Sequence, residues 1–565
     1  MKKTLVLLVT LMAVSAFFTL PVTAQEGDIY WGNEVPKNWN GEWDEELRTT
    51  SEKANFAHTA TNQDILEYFA MLKWNSENVY IFNMFTSERG RNCPVLVMSN
   101  PRVTNANEAK ESGKTVVYLQ GGIHPAECEG KEAILMLIRD ILFGEKKYLL
   151  DNLIIICCPN FNVDGNETRS VSGKLPKLSG SRSNANGYDL NRDAIKVETV
   201  SMQGAYRNLF NRWDPTIIHD THRMGSPRHG YAIAYAGSNV ATAHQEPRDY
   251  VTYNIFPEVR NGARDNGKLE VGYHCGLDDN WPPTKFTHDG AIWSTEGKFM
   301  VSGYGLRNRM GILVETPGHE SFERMVYCQY VYMDELLKYC YKHGKEMQEV
   351  CKKADEDVVE AIKNKASSGL LKNWVEGEYV SDGKYDILAY EKLGSEEVKG
   401  TSLRRTDPEA YKNPPQLIPN VDLITKPVGT KEATVPRGYL IPAELEFIVE
   451  KLRIHNIKVN VLEKPVKVSG EEFVIDKLSH VRRGMGYNMT RLEGAFVNSK
   501  SKEFPAGTFM LDMAQPLANV AFYCLEPEVG DGFVGWNILD DYLISIGAEK
   551  RSIVYPIYKY LKIIE

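Results

Sequence analysis

Four short apolar runs limit the folds available to this chain more than any other feature. They are rich in β-branched residues, are bounded by turn residues, and cover 115–120, 152–158, 216–220 and 311–316. Between the first two, residues 126–143 place apolar side chains at helical spacing. This strand–helix–strand order predicts a βαβ unit. We therefore expect an α/β fold with a mixed, largely parallel sheet and helices on both faces.

The second half of the chain has a different pattern. Residues 346–375 open with a highly charged stretch at helical spacing, which predicts a helical connector. From 376 to 565 short alternating runs and prolines predict a smaller, β-rich C-terminal domain of unknown role. Together with an α/β domain over 25–345, this division suits a chain of 565 residues, since domains usually have about 100–200 residues.

The first 24 residues are typical of a secretory signal peptide. Lys2 and Lys3 precede an apolar run, and Val22-Thr23-Ala24 offers a small residue at the cleavage position. A retained membrane anchor is the alternative, although the run is short for a bilayer span. No later stretch is long and apolar enough to cross a membrane. We expect an exported protein, periplasmic or secreted, with no membrane span in the mature chain.

Composition excludes one class of partner and leaves one question open. The chain has 66 Lys and Arg against 75 Asp and Glu, a net charge of −9, so no basic excess is available to bind a nucleic-acid backbone. Nine cysteines form no CxxC pair, and Cys157 and Cys158 lie within an apolar run where they are expected to be buried. An oxidising compartment permits disulfides, but the pairing stays open.

Histidine marks the region where chemistry is expected. Eight of the 12 histidines lie between 124 and 319, within the α/β part of the chain. His124 and Glu127 follow the run 115–120, at the point where a strand gives way to a helix. Functional sites of open α/β sheets lie at the carboxyl ends of strands, and an imidazole with a carboxylate is a ligand set for Zn²⁺. The HxxE pair predicts two metal ligands but is weak evidence by itself.

A third ligand is expected where the run 216–220 ends. His219 and His222 are three residues apart, so in an extended chain they point to opposite sides and only one of them can reach the site. His222 lies further into the loop at the carboxyl end and is the predicted ligand. Two structural histidines are the alternative interpretation.

Rival motifs are absent or poorly placed. The chain contains no HExxH and no GxSxG, and position 128 is cysteine, which excludes HxxEH. The segment 530–535, Gly-Asp-Gly-Phe-Val-Gly, matches GxGxxG, but it does not follow a clean apolar strand and no βαβ unit comes after it. We predict a turn there and no dinucleotide site.

Several separated motifs, in this order, resemble the M14 zinc carboxypeptidases. The resemblance covers about residues 75–320. The matching pieces are Ser87-Glu88-Arg89-Gly90-Arg91, the HxxE of His124 and Glu127, Asn162-Val163-Asp164-Gly165, Gly187-Tyr188-Asp189-Leu190-Asn191-Arg192, Asp220-Thr221-His222, and Glu315 at the end of Gly311-Ile312-Leu313-Val314-Glu315.

The resemblance implies a role for each matching residue. His124, Glu127 and His222 would bind one Zn²⁺ per chain, and Asp189 would orient the first histidine. Asn191 and Arg192 would hold the terminal carboxylate of the substrate, and Arg182 would polarise the scissile carbonyl. Glu315 would be the catalytic glutamate. The family also has a substrate-capping tyrosine, for which Tyr304 is our candidate, although no motif aligns it; the residues that set side-chain preference lie within about 240–305, which does not align.

These roles predict an exported zinc carboxypeptidase. It would hydrolyse the C-terminal bond of a peptide by activated water, with Glu315 as general base. One alternative is a zinc amidohydrolase acting on N-acyl amino acids or cell-wall stem peptides, and a second is a catalytically silent binding module on the same fold. The expected partner is a peptide or small amide with a free carboxylate.

Overall fold

The structure is a computed structural model that describes residues 29–168, 179–288, 294–391, 414–483 and 487–564. The expected signal peptide, 1–24, lies outside the described residues. The α-helices, in chain order, are α1 (Thr50–Lys53), α2 (Asn62–Asn75), α3 (Ala106–Ser112), α4 (Glu129–Phe143), α5 (Val163–Asn166), α6 (Val200–Ala205), α7 (Asn211–Trp213), α8 (Gln245–Tyr250), α9 (Phe256–Gly267), α10 (Met300–Gly305), α11 (Phe322–Lys365), α12 (Glu446–Ile454), α13 (Ala518–Leu525) and α14 (Asp540–Ser545).

The strands form three sheets. In chain order they are β1 (Val79–Thr86), β2 (Asn92–Met98), β3 (Thr115–Gln120), β4 (Leu153–Cys158), β5 (Ile217–Met224), β6 (Ile233–Gly237), β7 (Val271–Tyr273), β8 (Gly276–Leu277), β9 (Lys285–Thr287), β10 (Met310–Pro317), β11 (Lys372–Ala389), β12 (Gln416–Thr434), β13 (Gly438–Ile441), β14 (Asn460–Val461), β15 (Val466–Arg483), β16 (Tyr487–Phe504), β17 (Phe509–Asp512), β18 (Ile553–Val554) and β19 (Tyr558–Ile563).

The largest sheet has eight strands in the order β1-β2-β4-β3-β5-β10-β6-β7. Its four central strands, β4, β3, β5 and β10, are parallel to one another, while the pairs β1–β2, β2–β4 and β10–β6 are antiparallel. The predicted α/β fold with a mixed sheet is therefore confirmed. The four apolar runs of the sequence are its parallel centre.

Both faces of this sheet are buried, as the continuous apolar runs predict. Alternate residues of β3 enter different cores: Val117 and Leu119 pack with α2, α4, α9 and α11, whereas Val116 and Tyr118 pack with α6 and α10. Because side chains of a strand alternate between faces, one short strand serves two hydrophobic cores. The nine cysteines are buried thiols within such cores.

The long helix α11 differs from the predicted connector over 346–375. It begins at Phe322, runs without interruption to Lys365, and is followed by β11 from Lys372. Its first half is buried against the sheet and α4, while beyond Met347 its buried positions become sparse. The charged stretch in the sequence thus marks the exposed end of one helix, not the start of a separate one.

The C-terminal part is β-rich and is joined to the first part by shared structure. A seven-stranded sheet has the path β14-β17-β13-β19-β15-β16, with β18 beside β15. A four-stranded sheet has the order β11-β12-β9-β8, so strands from both sides of α11 contribute to it. Within the described residues no helix has the length and apolar character needed to cross a bilayer.

Candidate metal centre and active site

The first two candidate ligands lie on a tight turn between β3 and α4. Gly122 has φ +65°, and a Cβ on Gly121 would lie 2.7 Å from the carbonyl oxygen of Pro159, so glycine is needed for this turn to fit against the next strand. His124 Nδ1 lies 3.1 Å from Glu127 Oε2. Both precede α4, which begins at Glu129, so the pair lies in the turn that joins the strand to the helix.

His222 reaches the same point from the neighbouring strand β5. Its Nδ1 lies 2.9 Å from Glu127 Oε2 and 3.2 Å from His124 Nδ1. Ligand atoms of these three residues all lie within 4.8 Å of one another. His219, three residues earlier, instead stacks on Tyr332 in the buried core, with ring centroids 5.5 Å apart. The structure brings His222 to the cluster and leaves His219 out.

Hydrogen bonds on the far side of each imidazole favour metal binding. His124 Nε2 lies 3.0 Å from Asp189 Oδ1, and His222 Nε2 lies 2.9 Å from Asp220 Oδ2. A carboxylate only accepts, so each Nε2 would carry a proton, and with a metal ion bound each Nδ1 would offer its lone pair. Two lone pairs and a carboxylate oxygen then face one point, which fits a borderline cation such as Zn²⁺.

Local electrostatics favour a positive charge at this point. Burial lowers the pKa of His222, but the charges of Asp220 and Glu127 and the hydrogen bonds with them raise it well above its usual value. Burial raises the pKa of Glu127, yet the charges of and hydrogen bonds with His124 and His222 bring it well below the usual range. The cluster stabilises a cation here, either a proton or a metal ion.

Two further groups surround the cluster. Asp189 Oδ2 accepts a hydrogen bond from Arg182 Nε at 3.0 Å, and Arg182 Nη1 lies 3.3 Å from Glu127 Oε1. Although burial raises the pKa of Asp189, its hydrogen bond with His124 and nearby positive charges lower it well below the usual range. The Arg182 side chain is 48% exposed, so it can meet a ligand from the cavity.

Glu315 stands beside His222 on the adjacent strand. The register of β10 and β5 pairs the two residues directly. Burial raises the pKa of Glu315 to about 8, with the charge of His222 opposing the shift and that of Glu127 adding to it. Its Oε2 is buried and has no hydrogen-bond partner among the described residues, while Oε1 lies 3.9 Å from His274 Nε2. Glu315 thus places a carboxyl group with an unused oxygen beside the three candidate ligands.

Asn191 and Arg192 lie on a short 3₁₀ turn that also faces the cavity. Asn191 Oδ1 accepts a hydrogen bond from the backbone N–H of Met300 at 2.8 Å. The guanidinium of Arg192 lies 4.5 Å above the ring of Phe299, and its buried Nε has no partner among the described residues. A half-buried guanidinium with an unused donor is suited to bind an anion.

Tyr304 is placed elsewhere. It is 1% exposed on α10, and its hydroxyl donates a 2.5 Å hydrogen bond to the carbonyl of Pro215, within the core beneath the sheet. The structure therefore does not bring Tyr304 to the other candidates. The tyrosines that line the cavity are Tyr379 on β11 and Tyr523 on α13. Their distance in sequence from every motif left no signal that could have indicated them.

The candidate residues open into one cavity of about 1380 Å³. Its lining includes the three candidate ligands, Glu315, Arg182 and Arg192. One wall comes from the C-terminal part, and sequence reasoning missed it. Its residues include 375–379, Lys431, Arg491, Glu493, Tyr523, Asp531 and Trp536.

Comparison with known proteins agrees with this geometry. The zinc carboxypeptidase family Peptidase_M14 matches residues 65–232, a range that contains every site residue described above from His124 to His222. Carboxypeptidase 2 of Trichophyton tonsurans is 23% identical over 527 residues, covering 88% of this chain and 86% of that protein. Carboxypeptidase 2 of Trichophyton equinum is 24% identical over 531 residues, with the same coverage. A match of this length extends into the C-terminal part.

Solved structures similar to the chain include a metallo-carboxypeptidase from Burkholderia cenocepacia. It is 14% identical, with a TM-score of 0.36, and the match covers 50% of this chain and 69% of that one. A metallo-carboxypeptidase from Pseudomonas aeruginosa is 16% identical, with a TM-score of 0.36 and the same coverage. Residues 65–232 thus match the zinc carboxypeptidase family, and the curated relatives that align with most of the chain are carboxypeptidases by name.

Proposed function

We propose that this chain is an exported carboxypeptidase that removes the C-terminal residue of a peptide. His124, Glu127 and His222 would hold one Zn²⁺ per chain, because two imidazole Nδ1 atoms and a carboxylate oxygen converge there, while each Nε2 faces another carboxylate. That convergence is the observation that carries the proposal. When bound, Zn²⁺ supplies a Lewis acid that acidifies water and polarises a carbonyl.

Glu315 would be the general base. Its buried carboxylate lies beside His222 in strand register and has an unused oxygen. It would take a proton from the attacking water and return it to the leaving amine. Arg182, tied to Asp189 and partly exposed, would place a positive charge near the oxygen that becomes negative in the transition state.

Arg192 and Asn191 would fix the end of the substrate. The guanidinium of Arg192, supported on Phe299, can make two parallel hydrogen bonds to a carboxylate. Asn191 Oδ1 accepts the backbone N–H of Met300 and Nδ2 lies 3.3 Å from His222 Nε2, so at least one of the two N–H donors on Nδ2 is left for the carboxylate. Holding the terminal carboxylate places the last peptide bond at the metal cluster, so cleavage would be restricted to one residue at a time.

Export is proposed from the N-terminal sequence. The charged start and apolar run predict that residues 1–24 are removed, which would deliver the mature chain to the periplasm or the medium. N-terminal sequencing of the protein recovered from the producing cell's exterior would identify the cleavage point. Recovery of the full-length chain from the cell interior alone would reject export.

A peptide digest tests the reaction. We would incubate residues 25–565, loaded with Zn²⁺, with a mixed peptide library, with and without a chelator, and identify products by mass spectrometry. Stepwise loss of C-terminal residues that stops with chelator is the expected result. Intact peptides beside cleaved N-acyl amino acids or stem peptides would favour the amidohydrolase. No turnover of any of these by zinc-loaded protein would favour a binding module.

A further inference from the structure

We infer that Asp531, together with Tyr523, is a positioning residue for the substrate's terminal carboxylate. Both lie in the C-terminal part, far in sequence from the proposed carboxylate-binding pair Asn191 and Arg192. The inference rests on the proposed function of that pair. It gives a role to the glycine-rich segment 530–535, for which the sequence offered only a turn.

The first link joins the C-terminal part to segment 294–300. Asp531 Oδ2 accepts the backbone N–H of Lys298 at 2.7 Å, and Asp531 Oδ1 accepts the hydroxyl of Tyr523. The same Tyr523 oxygen accepts the backbone N–H of Gly297 at 2.8 Å. Asp531 is fully buried and Tyr523 is 4% exposed. One buried carboxylate and one phenol therefore hold two successive backbone amides in place.

The second link joins segment 294–300 to the carboxylate-binding pair. The next two residues after Lys298 contact it directly: the ring of Phe299 lies under Arg192 at 4.5 Å, and the N–H of Met300 donates to Asn191 Oδ1 at 2.8 Å. The carbonyl of Lys298 also accepts the N–H of Ala194 at 3.2 Å. A shift of this backbone would move the side chains of Asn191 and Arg192 together.

The glycines of segment 530–535 allow Asp531 to lie close to Tyr523 and to the backbone of Lys298. A Cβ on Gly532 would lie 2.6 Å from the carbonyl oxygen of Tyr523, and a Cβ on Gly535 would lie 2.2 Å from the carbonyl oxygen of Gly530. Both distances are shorter than any real Cβ contact, so the turn needs glycine at both positions. The turn wraps tightly on itself and on the end of α13, which places Asp531 beside Tyr523.

The inference is tested by comparing how well the enzyme cleaves a peptide with a free C-terminal carboxylate and the same peptide with a C-terminal amide. We would measure kcat and KM of Asp531→Asn and Tyr523→Phe on a peptide and on the same peptide with a C-terminal amide. We expect KM for the free acid to rise about tenfold, as expected for a misplaced hydrogen bond to a charged group. Turnover of the amide, bound zinc and kcat at saturation should change little, so the acid-to-amide ratio of kcat/KM should fall by the same factor.

Tyr439→Phe is the matched control. Tyr439 is buried in the same part of the chain and donates its hydroxyl to the carboxylate of Glu526, but it does not contact segment 294–300. It should leave the acid-to-amide ratio unchanged while lowering the melting temperature by a comparable amount. Tyr523→Phe is the milder of the two test variants and should remain folded if Asp531→Asn does not.

Two negative outcomes are distinguishable. If wild-type enzyme shows no preference for the free acid, the proposed carboxypeptidase function fails. If the wild type prefers the free acid and both variants keep the same ratio, with only a lower melting temperature, Asp531 and Tyr523 are structural and the inference is wrong.

Discussion

At the scale of single residues, Glu315 carries the sharpest prediction. Glu315→Gln keeps the shape of the side chain but cannot accept a proton, so kcat should fall about a thousandfold. The three proposed ligands are untouched, and zinc content measured by atomic absorption should stay at one ion per chain. An active variant would contradict the assignment of Glu315 as the base.

Glu320→Gln is a control within five residues of the same strand end. Glu320 is also buried, and burial raises its pKa to about 8, but its neighbour is Arg324 and it does not line the cavity. This variant should retain activity. If both variants lose activity, the cause is disturbance of the strand end and not removal of a base.

The partners of the imidazoles make a second prediction. Asp189→Asn and Asp220→Asn each remove a carboxylate that accepts from Nε2 of a proposed ligand. Zinc affinity, measured by competition with a chelator, should weaken about 10-fold to 100-fold in each. If zinc affinity is unchanged in both variants and their melting curves match that of the wild type, these histidines are not zinc ligands.

At the scale of elements, the contact between α4 and β5 decides how the ligands meet. A Cβ on Gly130 would lie 2.0 Å from Thr221 Oγ1, next to His222 in the chain. Gly130→Ala should force the helix away from the strand and lower the free energy of unfolding by about 1–3 kcal/mol, measured in denaturant. Gly225→Ala, where no atom lies within 4 Å, should have little effect. Equal stability of both variants would show that the helix adapts freely.

Elements also show how far the sequence could predict this molecule. The apolar run 115–120 is strand Thr115–Gln120, and 311–316 lies within Met310–Pro317, because buried parallel strands need continuous apolar residues. The gathering of His124, Glu127 and His222 was expected because they follow the carboxyl ends of two apolar runs and because the separated motifs resemble those of zinc carboxypeptidases. Tyr304 could not be oriented from sequence, because its position on α10 depends on the core of Pro215 and Phe210 that it fills.

At the scale of the whole molecule, buried histidines predict sensitivity to acid. Burial lowers the pKa of His219, His229 and His455 to about 3 and that of His288 and His319 to about 4. In the unfolded chain the pKa of a histidine is about 6.5, so below that pH the unfolded chain takes up protons while these histidines stay neutral in the folded chain. The free energy of unfolding is therefore unaffected by these histidines above about pH 6.5 and decreases as the pH falls toward 3.

His455 gives a direct test of this effect. Its Nε2 donates to the carbonyl of Ile195 at 2.8 Å, and glutamine can make the same bond. Between about pH 7 and pH 5, His455→Gln should lose about 2 kcal/mol less stability than the wild type. His480→Gln, at the surface beside Asp540, is the control and should follow the wild-type curve. Parallel curves for all three proteins would contradict the prediction.

The C-terminal wall was beyond prediction for a physical reason. Its contacts with the cavity depend on packing between residues hundreds of positions apart, which no local pattern encodes. Asp531 and Lys298, for example, are 233 residues apart in sequence and meet through a backbone amide that any residue could supply. Nothing in the identity of Lys298 could indicate its partner.

The same contact has a consequence for the order of events during synthesis. A ribosome releases the chain from its N-terminus, so the turn with His124 and the strand with His222 emerge long before Asp531 does. The nascent chain can gather the three proposed metal ligands early, yet the backbone that supports Arg192 is held in place only when the last tenth of the polypeptide has been made. On the proposed roles, an unfinished or truncated product would therefore bind the metal ion but hold the terminal carboxylate of a substrate less tightly than the complete chain does.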